Sequence, residues 1–162
     1  MAIIYCDMDG VLADFKTAAV RTTGMSINKW MNIPSSKEKW SLIKQKKDFW
    51  STLPWMPGGR QLWSYISKFD PHILSAYVEE SFDPNCIPGK TAWLRRNAGM
   101  TNRSKINLVR RKDKKLFAKR GKPSILIDDY EKNVRDFINA GGQAIHHTNT
   151  SKTISQLKRL GF

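Results

Sequence analysis

The sequence predicts an α/β fold, a parallel five-stranded sheet flanked by helices, with a small helical cap inserted after the first strand. Five short apolar runs rich in β-branched residues, at 3–6, 72–74, 106–109, 124–127 and 144–146, each end in polar or turn residues. Runs of that length bounded in that way read as strands. Longer segments with helical spacing lie between them, at 59–68, 90–97, 129–139 and 151–160. Strands alternating with helices imply βαβ crossovers and a parallel sheet covered on both faces. A chain of 162 residues that is 40% hydrophobic can bury a sizeable core, so one core with a short insert is expected.

The first strand runs straight into Asp7 and Asp9, without a basic start or a small-residue cleavage site, and no apolar run approaches ~20 residues. A soluble, unexported protein with no membrane partner is the expectation. Cys6 and Cys86 are too few for a disulfide framework, and Cys6 reads as a small hydrophobe inside a buried strand, which suits a reducing cytoplasm. The interval from 14 to 55 contains no strand and carries Trp30, Trp40 and Trp50 among lysines and serines. It reads as a helical insert, 16–55, within a core formed by 1–15 and 56–162. An insert at that point would lie over the carboxyl ends of the strands, where open α/β sheets bind ligands. Pro88-Gly89 places a helix start at Lys90, and Gly141-Gly142 ends a helix before the last strand. Asp14 reads as a cap of the first helix, and Asn133 as facing the loop after Asp129. His72, His146 and His147 form no metal spacing with a cysteine and read as structural or surface residues.

Lys and Arg outnumber Asp and Glu by 28 to 14, a formal charge of +14. That balance favours anionic ligands, nucleic acid among them, but names no substrate. The densest basic run is 110–122, with Arg110, Arg111, Lys112, Lys114, Lys115, Lys119, Arg120 and Lys122.

The sharpest feature is Asp7-Met8-Asp9-Gly10-Val11 directly after an apolar strand. Two acids this close repel unless a metal or a shared proton compensates, so paired carboxylates at a strand end mark a functional site. A second pair, Asp128-Asp129, follows the run 124–127. If the two strands are neighbours in a parallel sheet, four carboxylates converge at one edge. Oxygen donors without nearby thiols suit a hard cation, Mg²⁺ rather than zinc. A substrate phosphate would supply a further ligand, one carboxylate attacking phosphorus while another handles the proton.

The run from Asp7 to Phe15 (DMDGVLADF) resembles the first motif of the haloacid dehalogenase-like hydrolases, in the form typical of 5'(3')-deoxyribonucleotidases. Ser75 at the end of the second strand, a lysine before the fourth, and Ile127-Asp128-Asp129 ending it follow the order of that family's motifs. Phe49 to Gly58 (FWSTLPWMPG) and Lys90-Thr91-Ala92-Trp93 resemble the deoxyribonucleotidases further. The resemblance implies the Rossmann-like core of that family and a role for each matching residue. Asp7 would be the nucleophile and Asp9 the general acid and base. Asp7, the Asp9 carbonyl, Asp128 and Asp129 would bind Mg²⁺, and Ser75 would hydrogen-bond the phosphate. A lysine would offset the charge on an aspartyl-phosphate: Lys114 in Arg111-Lys112-Asp113-Lys114, with Lys112 and Lys115 as substitutes. Lys90 is a second candidate for phosphate contact.

Phe15 matches a position that packs on the nucleobase in the deoxyribonucleotidases. Trp30, Trp40, Phe49 and Trp50 are candidates to complete a stacking slot, or else the core of a small helical cap. The function expected is Mg²⁺-dependent hydrolysis of phosphate monoesters, of nucleotides in the first place. The alternatives are a phosphatase of polynucleotide ends and a non-catalytic nucleic-acid-binding protein on the same fold.

Overall fold

Each apolar run of the sequence becomes a strand, and the three central ones alternate their side chains between two buried layers. In the computed structural model, which describes residues 2–119 and 122–162, β1 (Ile3–Cys6), β2 (His72–Ala76), β3 (Ile106–Val109), β4 (Ser124–Asp128) and β5 (Gln143–His146) form one sheet. Its order is β3-β2-β1-β4-β5, and every neighbouring pair is parallel. This is the five-stranded parallel α/β sheet expected. From β1 the chain builds outward through β2 to β3, then returns to β4 on the other side of β1. The crevice between the carboxyl ends of β1 and β4 is therefore the topological switch point, where open sheets of this kind bind ligands.

The chain forms two compact units, 2–13 with 55–76 and 102–162, and 14–54 with 77–101. The first contains the sheet. Tyr5, Leu74 and Leu126 project from β1, β2 and β4 into a core with Phe117, Ala118 and Phe137. By the two-residue period of a strand, Ile4, Cys6, Ile73, Ile125 and Ile127, all buried, face the opposite layer. Helix α4 (Gly59–Ser67) packs with α7 (Thr150–Arg159), burying Leu62, Ile66 and Leu157. Helix α6 (Glu131–Asn139) packs on a 3-10 segment, Arg111–Lys119. After α6 the chain turns through Gly141, at φ 103°, and a Cβ on Gly142 would sit 2.3 Å from the Phe137 ring.

The second unit is helical, with α1 (Phe15–Thr23), α2 (Ile27–Met31), α3 (Ser36–Gln45), α5 (Cys86–Ala98) and a 3-10 turn at Trp50–Thr52. The Asp14 carboxylate caps α1, accepting from the Thr17 amide at 3.1 Å and its hydroxyl at 2.7 Å, as the sequence led us to expect. Helix α5 begins earlier than expected, at Cys86 rather than Lys90. Pro88 and Gly89 fall in its first turn, where a proline's missing N–H costs nothing because that donor has no intrahelical partner.

Among the described residues, no helix is long and apolar enough to cross a membrane. Met1 and the Arg120 of the basic run lie outside the described residues.

Candidate active site

The ladder register determines which side chains meet. Cys6 of β1 pairs with Ile127 of β4, and the Asp7 amide extends the ladder by donating to the Ile127 carbonyl at 3.0 Å. Asp7 and Asp128 therefore leave neighbouring strands side by side. Oxygens of Asp7, Asp128 and Asp129 all lie within 4.8 Å of one another. The other carboxylate of the first pair, Asp9, lies in the turn that follows, outside this triad.

That turn is tight. The amides of Val11, Leu12 and Ala13 all donate to the Met8 carbonyl, at 3.1, 2.8 and 2.9 Å, and the Gly10 amide donates to the Ala13 carbonyl at 2.9 Å. Gly10 has φ +82°, and a Cβ there would meet Asp129 Oδ2 at 2.0 Å. The backbone conformation thus favours glycine, and any Cβ there would turn the Asp129 carboxylate aside.

Lys114 holds two of the acids together. Its Nζ lies 3.1 Å from Asp7 Oδ1 and 2.8 Å from Asp128 Oδ2, and all three side chains are buried. Burial opposes the ammonium charge, but attraction to Asp7 and Asp128 outweighs it and raises the Lys114 pKa. Of the three lysines left open by the sequence, Lys112 and Lys115 are exposed and Lys114 makes these ion pairs. Asp128 is held at both oxygens: Oδ1 accepts from the Tyr130 amide at 2.9 Å, and Oδ2 also accepts from Asn133 Nδ2 at 3.1 Å. Asn133, which the sequence reading turned toward the loop after Asp129, instead reaches back to Asp128 from α6. No spacing rule singled it out, and its burial, at 6% exposure, emerges only in the fold.

The acids crowd one another. Burial, and then the charge of Asp7, pushes Asp128 up to about 6 against the opposing pull of Lys114. Burial, then Asp7 and Asp128, push Asp129 up to about 7. Three carboxylates with no thiol or imidazole among them are the donor set of a hard divalent cation, whose charge would relieve this repulsion. The Cys6 thiol beneath them is raised well above its usual range by burial and then by Asp7 and Asp128, which keeps it an unreactive thiol.

Ser75 is fully buried on β2, two residues beyond the Ile73 that pairs with Cys6. It therefore belongs to the same carboxyl edge of the sheet. The backbone amide of His147 donates to the Asp128 carbonyl at 2.8 Å, while its ring bonds Thr153 Oγ1 at 2.7 Å. The exposed His146 ring lies 3.0 Å from the Asp129 carbonyl. Both histidines are thus structural neighbours of the acids.

The remaining candidates gather in the second unit. Phe15 lies with ring centroids 5.4, 6.0, 5.6 and 5.5 Å from Trp30, Trp40, Phe49 and Trp50. Trp30, Phe49 and Trp50 are only 4, 1 and 1% exposed, and two of them anchor their ring N–H groups, Trp30 to the Lys39 carbonyl and Trp50 to Asp83 Oδ2, each at 2.7 Å. Those three are the core of the helical unit, not open faces for a base. Phe15 and Trp40 are half-buried. Lys90 is fully buried in the same unit, its ammonium 5.3 Å from the centre of the Trp50 ring.

No protein-family model matches the chain, and no curated protein sequence does. Its backbone is similar to that of L-2-haloacid dehalogenase from Xanthobacter autotrophicus, with TM-score 0.59 and 13% identity over 100% of this chain and 84% of that one. CbbY from Rhodobacter sphaeroides, in complex with phosphate, gives TM-score 0.56 and 15% identity over 89% of this chain and 84% of that one. A hydrolase from Streptococcus pneumoniae gives TM-score 0.55 and 11% identity over 96% and 97%. At these identities the likeness is one of fold: the chain has the haloacid dehalogenase-like fold.

Proposed function

We propose that this chain is a Mg²⁺-dependent phosphomonoesterase with Asp7 as nucleophile, acting on nucleotides in the manner of the 5'(3')-deoxyribonucleotidases that its motifs resemble. The observation that carries the reading is the buried Lys114 ammonium between Asp7 and Asp128, in a cluster of three carboxylates at the switch point of the sheet. CbbY, of similar fold, has been seen with phosphate and, in a mutant form, with xylulose-(1,5)-bisphosphate, which supports phosphate ester chemistry for this one.

Asp7, Asp128 and Asp129 would hold Mg²⁺ together with the Asp9 carbonyl, and the cation would supply charge neutralisation for the phosphoryl oxygens. An Asp7 oxygen attacks phosphorus as the ester P–O bond breaks, and Asp9 gives its proton to the leaving oxygen. Ionised Asp9 then takes a proton from water as the water oxygen attacks the aspartyl-phosphate. The bond from Asp7 to phosphorus breaks and inorganic phosphate leaves. Lys114 offsets charge on Asp7 and the phosphoryl group, and Ser75 hydrogen-bonds the phosphate. Such catalysis rests on positioning and charge neutralisation. The half-buried Phe15 and Trp40 are the stacking residues of this proposal. The assignment of 1–15 and 56–162 to a catalytic core, and of 16–55 to a cap, belongs to it as well.

The test is phosphate release from nucleoside monophosphates, sugar phosphates and phosphorylated oligonucleotides, with Mg²⁺ and with EDTA, using Asp7→Asn as control. Release that needs Mg²⁺ and disappears in the variant is expected. Undiminished hydrolysis by Asp7→Asn would overturn the nucleophile, and no release from any ester would favour the non-catalytic alternative.

A further inference from the structure

The 3-10 segment Arg111–Lys119 has about three residues per turn, so side chains three apart stack along one face. On that face lie Arg111, Lys114 and Phe117. Phe117 is in the core and Lys114 is between the carboxylates. Arg111 is therefore one step further out along the face that enters the site. There its guanidinium lies 4.8 Å from the centre of the Tyr130 ring. Tyr130 immediately follows Asp129, its amide is fixed on Asp128, and the residue is 42% exposed. A large ring partly in solvent beside a carboxylate of the cluster, with a planar cation over it, presents a flat, positively charged ledge at the rim of the site.

The surroundings indicate what the ledge receives. The other faces of the segment carry Lys112, Lys115 and Lys119, all exposed, and Arg110 precedes it, also exposed. A second phosphate on a small ester would use Arg111 alone. It would leave the aromatic ring and the cations beyond it without a role. A single-stranded nucleic acid uses all of them, its base against the ring and its backbone phosphates along the cations.

We propose that Tyr130 and Arg111 form a binding platform for the nucleotide adjoining the terminal phosphate, making phosphorylated single-strand ends a further and preferred class of substrate beside mononucleotides. This deepens the phosphatase reading and rests on it.

The experiment compares kcat/KM for dTMP with that for a thymidine hexanucleotide carrying a 5'- or a 3'-phosphate, in wild type, Tyr130→Ala, Tyr130→Phe and Arg111→Ala. Wild type should prefer one of the hexanucleotides, and Tyr130→Ala should cut that preference about tenfold, within the range one stacked base supplies. Tyr130→Phe should keep it, since the ring and not the hydroxyl is used. In parallel, fluorescence anisotropy of the labelled hexanucleotide in EDTA reads binding without turnover. Arg111→Ala should reduce the slope of log affinity against log salt by about 0.7, one phosphate contact on a single strand. Equal losses on dTMP and hexanucleotide, or binding and salt slope unchanged in both variants, would overturn the platform. Absence of phosphate release in wild type would remove the phosphatase reading, and the anisotropy series would still decide whether the ledge binds a strand.

Discussion

Replacing Asp129 with Asn should make the metal-free protein more stable at pH 8 and leave it unchanged near pH 4. Asp129 rises from 3.8 to about 7 because it is buried beside Asp7 and Asp128. Since the folded state holds this proton more tightly than the unfolded chain, stability falls as pH climbs from about 4 through 7, and the full cost is present above that. A rise of about 3 pH units corresponds to about 4 kcal/mol at most. Asp129 is half-buried, so solvent screening reduces this to about 2 kcal/mol. For a chain of this size that is about 4–8 °C in Tm. Thermal unfolding followed by circular dichroism in EDTA, at pH 4, 6 and 8, measures it. Adding millimolar Mg²⁺ at pH 8 should raise the wild-type Tm and leave Asp129→Asn nearly unmoved, because a ligand stabilises only the state that binds it. The reasoning fails if the variant gains the same amount at every pH, or gains nothing at pH 8.

Three further substitutions probe the same cluster. Lys114→Met leaves Asp7 and Asp128 without their shared cation and should cost about 3–5 kcal/mol at pH 8, measured by urea unfolding; a loss under about 1 kcal/mol would contradict the ion-pair geometry. Gly10→Ala should cost about 1–2 kcal/mol from its positive φ and, by turning the Asp129 carboxylate aside, abolish the Mg²⁺-induced rise in Tm; an unaltered rise would show that this contact is unimportant. Asn133→Ala removes a hydrogen bond that orients Asp128 and should weaken Mg²⁺ binding about 10- to 100-fold by calorimetry, whereas unchanged affinity would assign Asn133 to packing alone.

The strands were legible because a buried parallel sheet needs continuous apolar runs, and each such run ends where the chain meets water. The carboxylates were legible because acids directly after two of those runs have no packing reason to be there. Lys114 could be narrowed only to one of three lysines, since a nine-residue 3-10 segment follows neither the 3.6-residue nor the two-residue period by which a buried face is found in sequence. Asn133 gave no pattern at all; its role arises when α6 folds back beside β4. The aromatics of the helical segment left two readings open. Large rings in a short helical segment suit a stacking slot and a small core equally, and the near-complete burial of Trp30, Phe49 and Trp50 decides for the core. The start of α5 was misplaced because Pro88 was read as preceding a helix whose first turn it occupies.

The charge balance of the site suggests how binding is ordered. Asp7, Asp128 and Asp129 against Lys114 leave a formal charge of −2 among these four groups. A phosphate monoester, the substrate class proposed, also carries close to two negative charges near neutral pH, so these four groups would repel it in the absence of a divalent charge. Lys114 alone cannot reverse this, because both acids that it touches already share it. Its position instead suits the moment of transfer in the proposed reaction: with Asp7 carrying the phosphoryl group as an acyl phosphate, the ammonium would face a phosphoryl group in place of one of its carboxylates. Inorganic phosphate should therefore bind measurably only with Mg²⁺ present. Asp129→Asn, which lowers the site's negative charge and removes a ligand together, should bind phosphate weakly without metal and gain little when Mg²⁺ is added. Calorimetric titration of phosphate into both proteins, with and without Mg²⁺, measures this coupling, and tight metal-free binding to the wild type would refute the charge argument.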